Sequence, residues 1–564
     1  MTQLITALAP VVLLFSVTRQ VQGKGFLVAR HNHSELEDSP ATDGELRRDL
    51  RHAVSTASRC GYSHGSHIPP GAGEGTQQVL RHMWQALPHT KQNRIGAKSL
   101  CYLMQRYFIR SGLLIRDLQP GSTGVTDKPC RLVSLYAESV LQGGHELKDF
   151  SLDDATTMVA AIEDLLLHSD TELLEAVYGE MDESLPDQVP HDTVKLILEN
   201  YMVHWLMGHD EEGIQLLLEN RSLLEEIFPH WGQLAGLAEG RVRSMAYSRA
   251  MVNVFASGYS FDEVQQIVGG ITRSFGFFWQ SECTRLKDLL LDLDTDKDGR
   301  VPLASFYNVG ATSEWRLGES EAYLRELGVL DETSRWRGKQ VIIPNYMQAA
   351  SNCIVTTHHY LICCMSECEA IIDEIEASIG KPVAMPEQVL AVMQNVTVEA
   401  SSLEGAGTRP KVAPKLVAQL KWIATSNGGR ILLHGRLFAQ WLHYLFPQEC
   451  PFPHIQGSTK AMTPSEFGET YIATEEEMRL HTENSTASNM SLLGNEEHVL
   501  SLWSAEEEFV VDYAPHHFDA VWGLLPWSRH LAIFMLSTAI LLLGIVGAGH
   551  HAESAGPKML KEYF

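Results

Sequence analysis

The chain has 564 residues, 44% of them apolar and 20% charged, and its 44 Lys and Arg against 70 Asp and Glu leave a formal net charge of −26. That composition excludes wholesale disorder, a low-complexity repeat and a many-spanning membrane protein, and the length allows roughly three or four domains. So acidic a chain repels phosphate backbones, which excludes nucleic acid as a partner and favours cations.

Residues 1–23 read as a secretory signal peptide: residues 4–17 are apolar apart from Thr6 and Ser16, and Val21 and Gly23 precede Lys24. Residues 24–75 are polar and rich in Gly, Pro, Ser and His, and read as a flexible leader. A helical domain is expected over 76–180, with Leu100, Leu103, Met104, Tyr107, Phe108 and Leu114 spaced for one face. Ser169 with Glu172 predicts one helix start, and Ser260 with Glu263 another. Two prolines mark 181–191 as a linker, and 192–278 reads as a second helical domain with helices at 196–205 and 214–227. Over 279–378 a loop-rich centre, with a short strand near 340–343, leads into one long helix at 345–378.

The C-terminal helical domain, 379–482, has a linker at 401–414 and two helices within 415–446. A capped, proline-led start follows at Thr463, Pro464 and Glu466. Residues 483–530 read as an acidic stalk, with 483–520 a stalk or a capping segment before the membrane. Residues 531–549 are 19 uncharged, mostly apolar residues, nearly enough as a helix for a hydrocarbon core of ~30 Å. Trp522, Trp527, Arg529 and His530 stand before this segment as interfacial anchors. Residues 550–564, with Lys558 and Lys561, make a short cytosolic tail. A buried helix or a removable lipid-anchor signal are the alternatives for 531–549, and the charged extension after it speaks against the second. Together the two ends predict a single-pass type I membrane protein of the secretory pathway or cell surface.

Five N-x-S/T sequons, at Asn32, Asn220, Asn395, Asn484 and Asn489, permit glycosylation of such a chain. Nine cysteines are too few for a disulfide-dense scaffold, but an oxidising lumen pairs some of them and the odd count leaves at least one over.

The segment from Leu293 to Phe306 carries the chemistry. Asp294, Asp296 and Asp298 alternate, and Gly299 follows where a sharp turn needs positive φ. Arg300 would offer its carbonyl oxygen, and Val301 would form a short strand. Leu286, Leu289, Leu290 and Leu293 give the preceding segment one apolar helical face, and Phe306 opens the next helix. Calcium takes six to eight oxygens, so three carboxylates on one turn suit it. On these residues the segment resembles an EF-hand loop. The resemblance implies a calcium site at Asp294, Asp296, Asp298, Arg300 and Ser305, with a partner loop beside it. It departs from the family at Ser305, where a bidentate Glu is expected, and at Pro302, which has no side-chain oxygen. The expected affinity is therefore weak, on the order of 10⁻⁴ to 10⁻³ M. Residues 319–330, the loop 331–339 and the strand and helix after it read as the partner, lacking alternating acids.

The strings at 434–443 and 446–454 resemble those of a group of large exported protist proteins that carry an EF-hand, a resemblance that implies no reaction. Other patterns carry less. The G-x-S-x-G at 61–65 lacks the flanking strand and helix of a nucleophile elbow. His358, His359, Cys363, Cys364 and Cys368 could offer zinc ligands, but buried or disulfide-bonded cysteines fit a lumen better. His204 and His443 read as satisfied core histidines. No catalytic group is advertised. The expectation is a mainly α ectodomain with an embedded EF-hand pair, calcium and a membrane as partners, and a structural, adhesion or scaffold role. A lumenal enzyme with a calcium brace and a lumenal calcium sensor are the alternatives.

Overall fold

Some helix starts in this chain are set by short polar side chains, at Ser151, Ser260, Ser320 and Thr463, that satisfy one of the first free N–H groups. Ser260 accepts from the Glu263 amide while the Glu263 carboxylate takes the Ser260 N–H at 2.9 Å, and from there Phe261–Leu293 runs for 33 residues. Thr463 and Glu466 cap Pro464–Phe467 in the same way. Ser151 and Asp154 start Leu152–Glu180 by this device too, so Ser169 and Glu172 lie inside that helix and do not open one.

The computed structural model describes residues 43–59, 72–119, 130–140, 149–208, 211–228, 231–250, 258–312, 317–333, 337–355, 359–396, 412–486 and 501–513. The signal peptide, much of the leader and stalk, the apolar 531–549 segment, the tail and the 61–65 pattern lie outside these residues. Among the described residues no helix is long and apolar enough to cross a membrane. The fold is mainly helical, with strands of two or three residues only.

Among the described residues two large hydrophobic cores result, with a small third cluster at Cys353, Leu361 and Cys363. The larger joins Asp43–Arg59, Leu152–Glu180, His191–Met207, Trp231–Ala250 and Phe261–Leu293 with residues as late as Val511. Apolar residues of the segments 76–180 and 192–278 both contribute to this cluster. The smaller core packs Glu367–Ile379, Pro386–Met393, Pro414–Ser426 and Arg436–Leu445. An ionic clamp joins the two. Arg106, 3% exposed, reaches Glu369 and Asp373 at 2.6 Å and also pairs with Glu376, three acids on one face of Glu367–Ile379. His434 Nε2 stands 2.8 Å from the other Glu376 oxygen.

Three further expectations are corrected. Part of the leader is a helix, Asp43–Arg59, which buries Leu46, Leu50, Ala53 and Val54 against Leu152–Glu180. The long helix at 345–378 is broken into Ile343–Met347, the strands Ile354–Val355 and Tyr360–Ile362, and Glu367–Ile379. Tyr360–Ile362 lies between Leu113–Ile115 and Ile354–Val355, both antiparallel, and a central strand cannot continue a helix. The helix read over 214–227 stops at Glu219, turns through Arg221–Leu223 and resumes at Leu224–Ile227. Residues 501–513, within the segment read as a stalk or cap, lie along the body. Arg436 N donates to Glu508 O at 2.8 Å, and Asp512 Oδ2 accepts from Lys98 N at 2.9 Å.

Disulfides fasten this arrangement: Cys101–Cys130, Cys283–Cys364, Cys353–Cys363 and Cys368–Cys450. The second and fourth close loops of 81 and 82 residues. By loop entropy each contributes roughly 4 kcal/mol.

Candidate metal centre

Two short units meet at the edge of the larger core. In the first, Phe261–Leu293 ends, a turn follows at 294–299, the strand Arg300–Pro302 forms, and Leu303–Thr312 leaves. In the second, Glu321–Glu326 is followed by Leu330–Asp331, then Gln340–Ile342 and Ile343–Met347. The strands Arg300–Pro302 and Gln340–Ile342 pair antiparallel with Val301 opposite Val341, and both valines are fully buried. Leu330–Asp331 adds a third strand on the other side of Gln340–Ile342.

The turn is built around Asp294. Its carboxylate is 4% exposed and accepts from Asp298 N at 3.1 Å, Gly299 N at 2.9 Å and Gln448 Nε2 at 2.8 Å. Gly299 has φ +74°, and a Cβ there would stand 1.9 Å from Pro447 O, so both conformation and space demand glycine. Lys297 also takes a positive φ, 54°.

Asp296 and Asp298 point elsewhere. Arg337 Nη1, from the second unit, lies 2.7 Å from Asp296 Oδ2 and 2.8 Å from Asp298 Oδ2. One guanidinium thus draws two of the three loop carboxylates together, while the third turns inward to the backbone. The other oxygen of Asp298 is buried and has no hydrogen-bond partner among the described residues. Burial pushes the Asp298 carboxyl above its usual range, against the pull of Arg300 and Arg337 and with the push of Asp294 and Asp296. Ser305 is half-buried in the first turns of Leu303–Thr312. It brings one hydroxyl oxygen where a glutamate would bring two carboxylate oxygens.

Arg300, expected to act through its carbonyl, also carries a buried side chain. Its Nε donates to Asp331 Oδ2 at 3.0 Å and its Nη1 to Asp298 O at 3.0 Å. Its Nη2 lies 3.3 Å from His443 Nε2 and donates to Ser501 Oγ at 3.3 Å. Asp331, 1% exposed, accepts from Thr333 and Ser501 as well. Burial alone would raise its pKa. The hydrogen bonds from Thr333 and Ser501 and the Arg300 charge outweigh that and hold it below the usual carboxylate range. His443 is fully buried, as expected of a core histidine, with Nδ1 2.8 Å from Cys450 O. Burial, with Arg300 beside it, lowers its pKa to about 3.

The sequence brings out Asp294, Asp296 and Asp298 but not their internal partners Arg337 and Gln448, nor the Arg300–Asp331–His443–Ser501 network. Those contacts come from segments up to 201 residues apart, joined by strand pairing and by the docking of the smaller core. Among the described residues no group of three or more His, Cys, Asp or Glu side chains is arranged to hold a metal ion. The zinc possibility is removed at Cys363, Cys364 and Cys368, because each sits in a different disulfide. A shallow open cleft beside the centre is lined by Lys287, Glu367, Gln448, Glu449 and the Cys283–Cys364 bridge. Lys287 is held in an ion pair with Glu367 at 2.5 Å. No protein-family model, no curated protein and no solved structure matches the chain.

Proposed function

We propose that the chain is the disulfide-stapled helical ectodomain of a single-pass membrane protein, that its 294–305 loop belongs to an EF-hand pair, and that this loop takes calcium weakly in a structural role. One observation carries the calcium reading. Asp296 and Asp298 already converge on a single cationic nitrogen, and Asp298 keeps a buried oxygen with no partner among the described residues. The fixed turn at Asp294 and Gly299 and the Val301–Val341 pairing support it. A calcium ion would have to displace Arg337 and would find no glutamate at Ser305. Both facts favour a millimolar site, as in extracellular calcium modules. Four disulfides suit an oxidising lumen. The signal peptide and the 531–549 span, which complete this reading, rest on the sequence.

A second reading draws on the same geometry. Arg337 is the resident cation, the loop needs no metal, and the pair serves only to brace the fold. Thermal unfolding of the full chain in detergent separates the two. Under the first reading millimolar calcium raises the midpoint of the wild type by mass action, Asp296→Asn weakens the shift, and Arg337→Gln enlarges it. No calcium shift in either the wild type or Arg337→Gln leaves the second reading standing and overturns the first.

A further inference from the structure

We infer that Asn220 is an N-glycosylation acceptor and Asn484 is not, an inference that rests on the exported reading above. Sequence alone does not rank the five sequons. Two of them have their backbones within the described residues, and the acceptor Asn is non-helical in one and helical in the other.

Asn220 stands at the junction between the helix Glu211–Glu219 and the single 3-10 turn Arg221–Leu223, which holds the other two residues of the sequon. Asn220 is exposed and non-helical, with φ −126° and ψ 80°. Ser222 is exposed too, and its Oγ donates to Asn220 Oδ1 at 2.6 Å, which fixes the plane of the carboxamide. The residues beside them are pinned inward. Arg221 pairs with Glu199 at 2.5 Å and donates to Asn200 Oδ1 at 2.6 Å, and Leu223 is 8% exposed. With Arg221 and Leu223 tied to the body, Asn220 and Ser222 face solvent, and a bulky glycan there meets no packed neighbour. Asn484, Ser485 and Thr486 are instead the last three residues of the helix Glu475–Thr486. An acceptor held in a helix cannot be drawn out as an extended segment without breaking that turn's hydrogen bonds.

The reaction needs a lipid-diphosphate-linked oligosaccharide as donor. Asn220 Nδ2 forms the new bond to the anomeric carbon of the sugar, the bond from that carbon to the diphosphate oxygen breaks, and the lipid diphosphate leaves with the electron pair. Nδ2 gives up one proton.

The test is expression of the full chain in a eukaryotic secretory host. Protease protection of the microsomal fraction is read beside the mass of the Asn220 peptide after enzymatic glycan removal, which converts a glycosylated Asn to Asp. The expected result is a protected chain with Asn220 recovered as Asp and Asn484 as Asn. Asn220→Gln and Ser222→Ala should each remove one glycan step from gel mobility, and Ser222→Thr should keep it. A protected chain with Asn220 unconverted, or with Asn484 converted, overturns this inference and leaves export intact. An unprotected chain overturns export and this inference together.

Discussion

The two units at the centre share a strand pairing and differ in charge. The first carries Asp294, Asp296 and Asp298 ahead of its strand; the second carries Asp331 and then Arg335, Arg337 and Lys339. Each supplies the other's counter-ion. Arg300 of the first pairs with Asp331 of the second, and Arg337 of the second pairs with Asp296 and Asp298 of the first. The exchange is unequal in depth. Arg300 and Asp331 are 5% and 1% exposed, while Arg337, Asp298 and Asp296 are 25%, 29% and 55% exposed. Depth decides role. A buried pair has no water to fall back on when a partner is lost, whereas a surface pair can trade one cation for another at little cost.

The largest effect follows from the deep pair. Asp331→Asn leaves the Arg300 guanidinium buried without its counter-charge, and such a loss costs about 3–5 kcal/mol. Urea unfolding should show that drop, and the double variant Arg300→Met, Asp331→Leu should recover much of it. A drop under about 1 kcal/mol for Asp331→Asn would mean that the two pairs do not differ in the way their burial implies.

How much of this was legible beforehand follows from how far apart the cooperating residues stand. The caps at Ser260 and Thr463 could be read because cap and partner are three residues apart. The turn at Gly299 and the strand near Val341 could be read for the same local reason. Ser169 misled because the pattern that starts a helix also occurs inside one, where Leu165, Leu166, Leu174 and Val177 keep the periodicity running. Asp43–Arg59 has a weak sequence signal because its apolar stripe is only Leu46, Leu50, Ala53 and Val54 in a polar segment. The disulfide partners and the reciprocal arginines had no local signal at all, since the tertiary fold creates those contacts.

A middle-sized effect tests how dry the deep network is. His443 is neutral when folded, with a pKa of about 3. In the unfolded chain its pKa returns to about 6.5. Between those values the unfolded state binds a proton that the folded state refuses, so folding loses stability as the pH falls. The contribution of His443 is complete above the unfolded value and fades down to the folded one. Within that window the slope from this group approaches about 1.4 kcal/mol per pH unit. Urea midpoints taken from pH 7 down to pH 5 should fall more steeply for the wild type than for His443→Gln, which cannot titrate. Equal slopes would mean that water reaches the imidazole and that the Arg300 network is not closed.

The smallest effect on stability belongs to the shallow pair, and there the comparison bears on function. Without calcium, Arg337→Gln removes an ion pair whose members are a quarter to a half exposed, and such pairs contribute under about 1 kcal/mol. The same substitution takes a positive charge away from Asp296 and Asp298, so calcium meets less competition. Protons compete as well. Burial already raises the Asp298 carboxyl, and losing Arg337 removes one of the charges that pull it down. Under the calcium reading the variant should therefore bind calcium more tightly than the wild type near neutral pH, and both should bind it more weakly on acidification as the carboxylates protonate. Calcium titrations by calorimetry at pH 7 and pH 5 read both effects. A variant that is markedly destabilised without calcium would place Arg337 with Arg300 as a structural cation, and the distinction between a deep, fixed pair and a shallow, exchangeable one would fall.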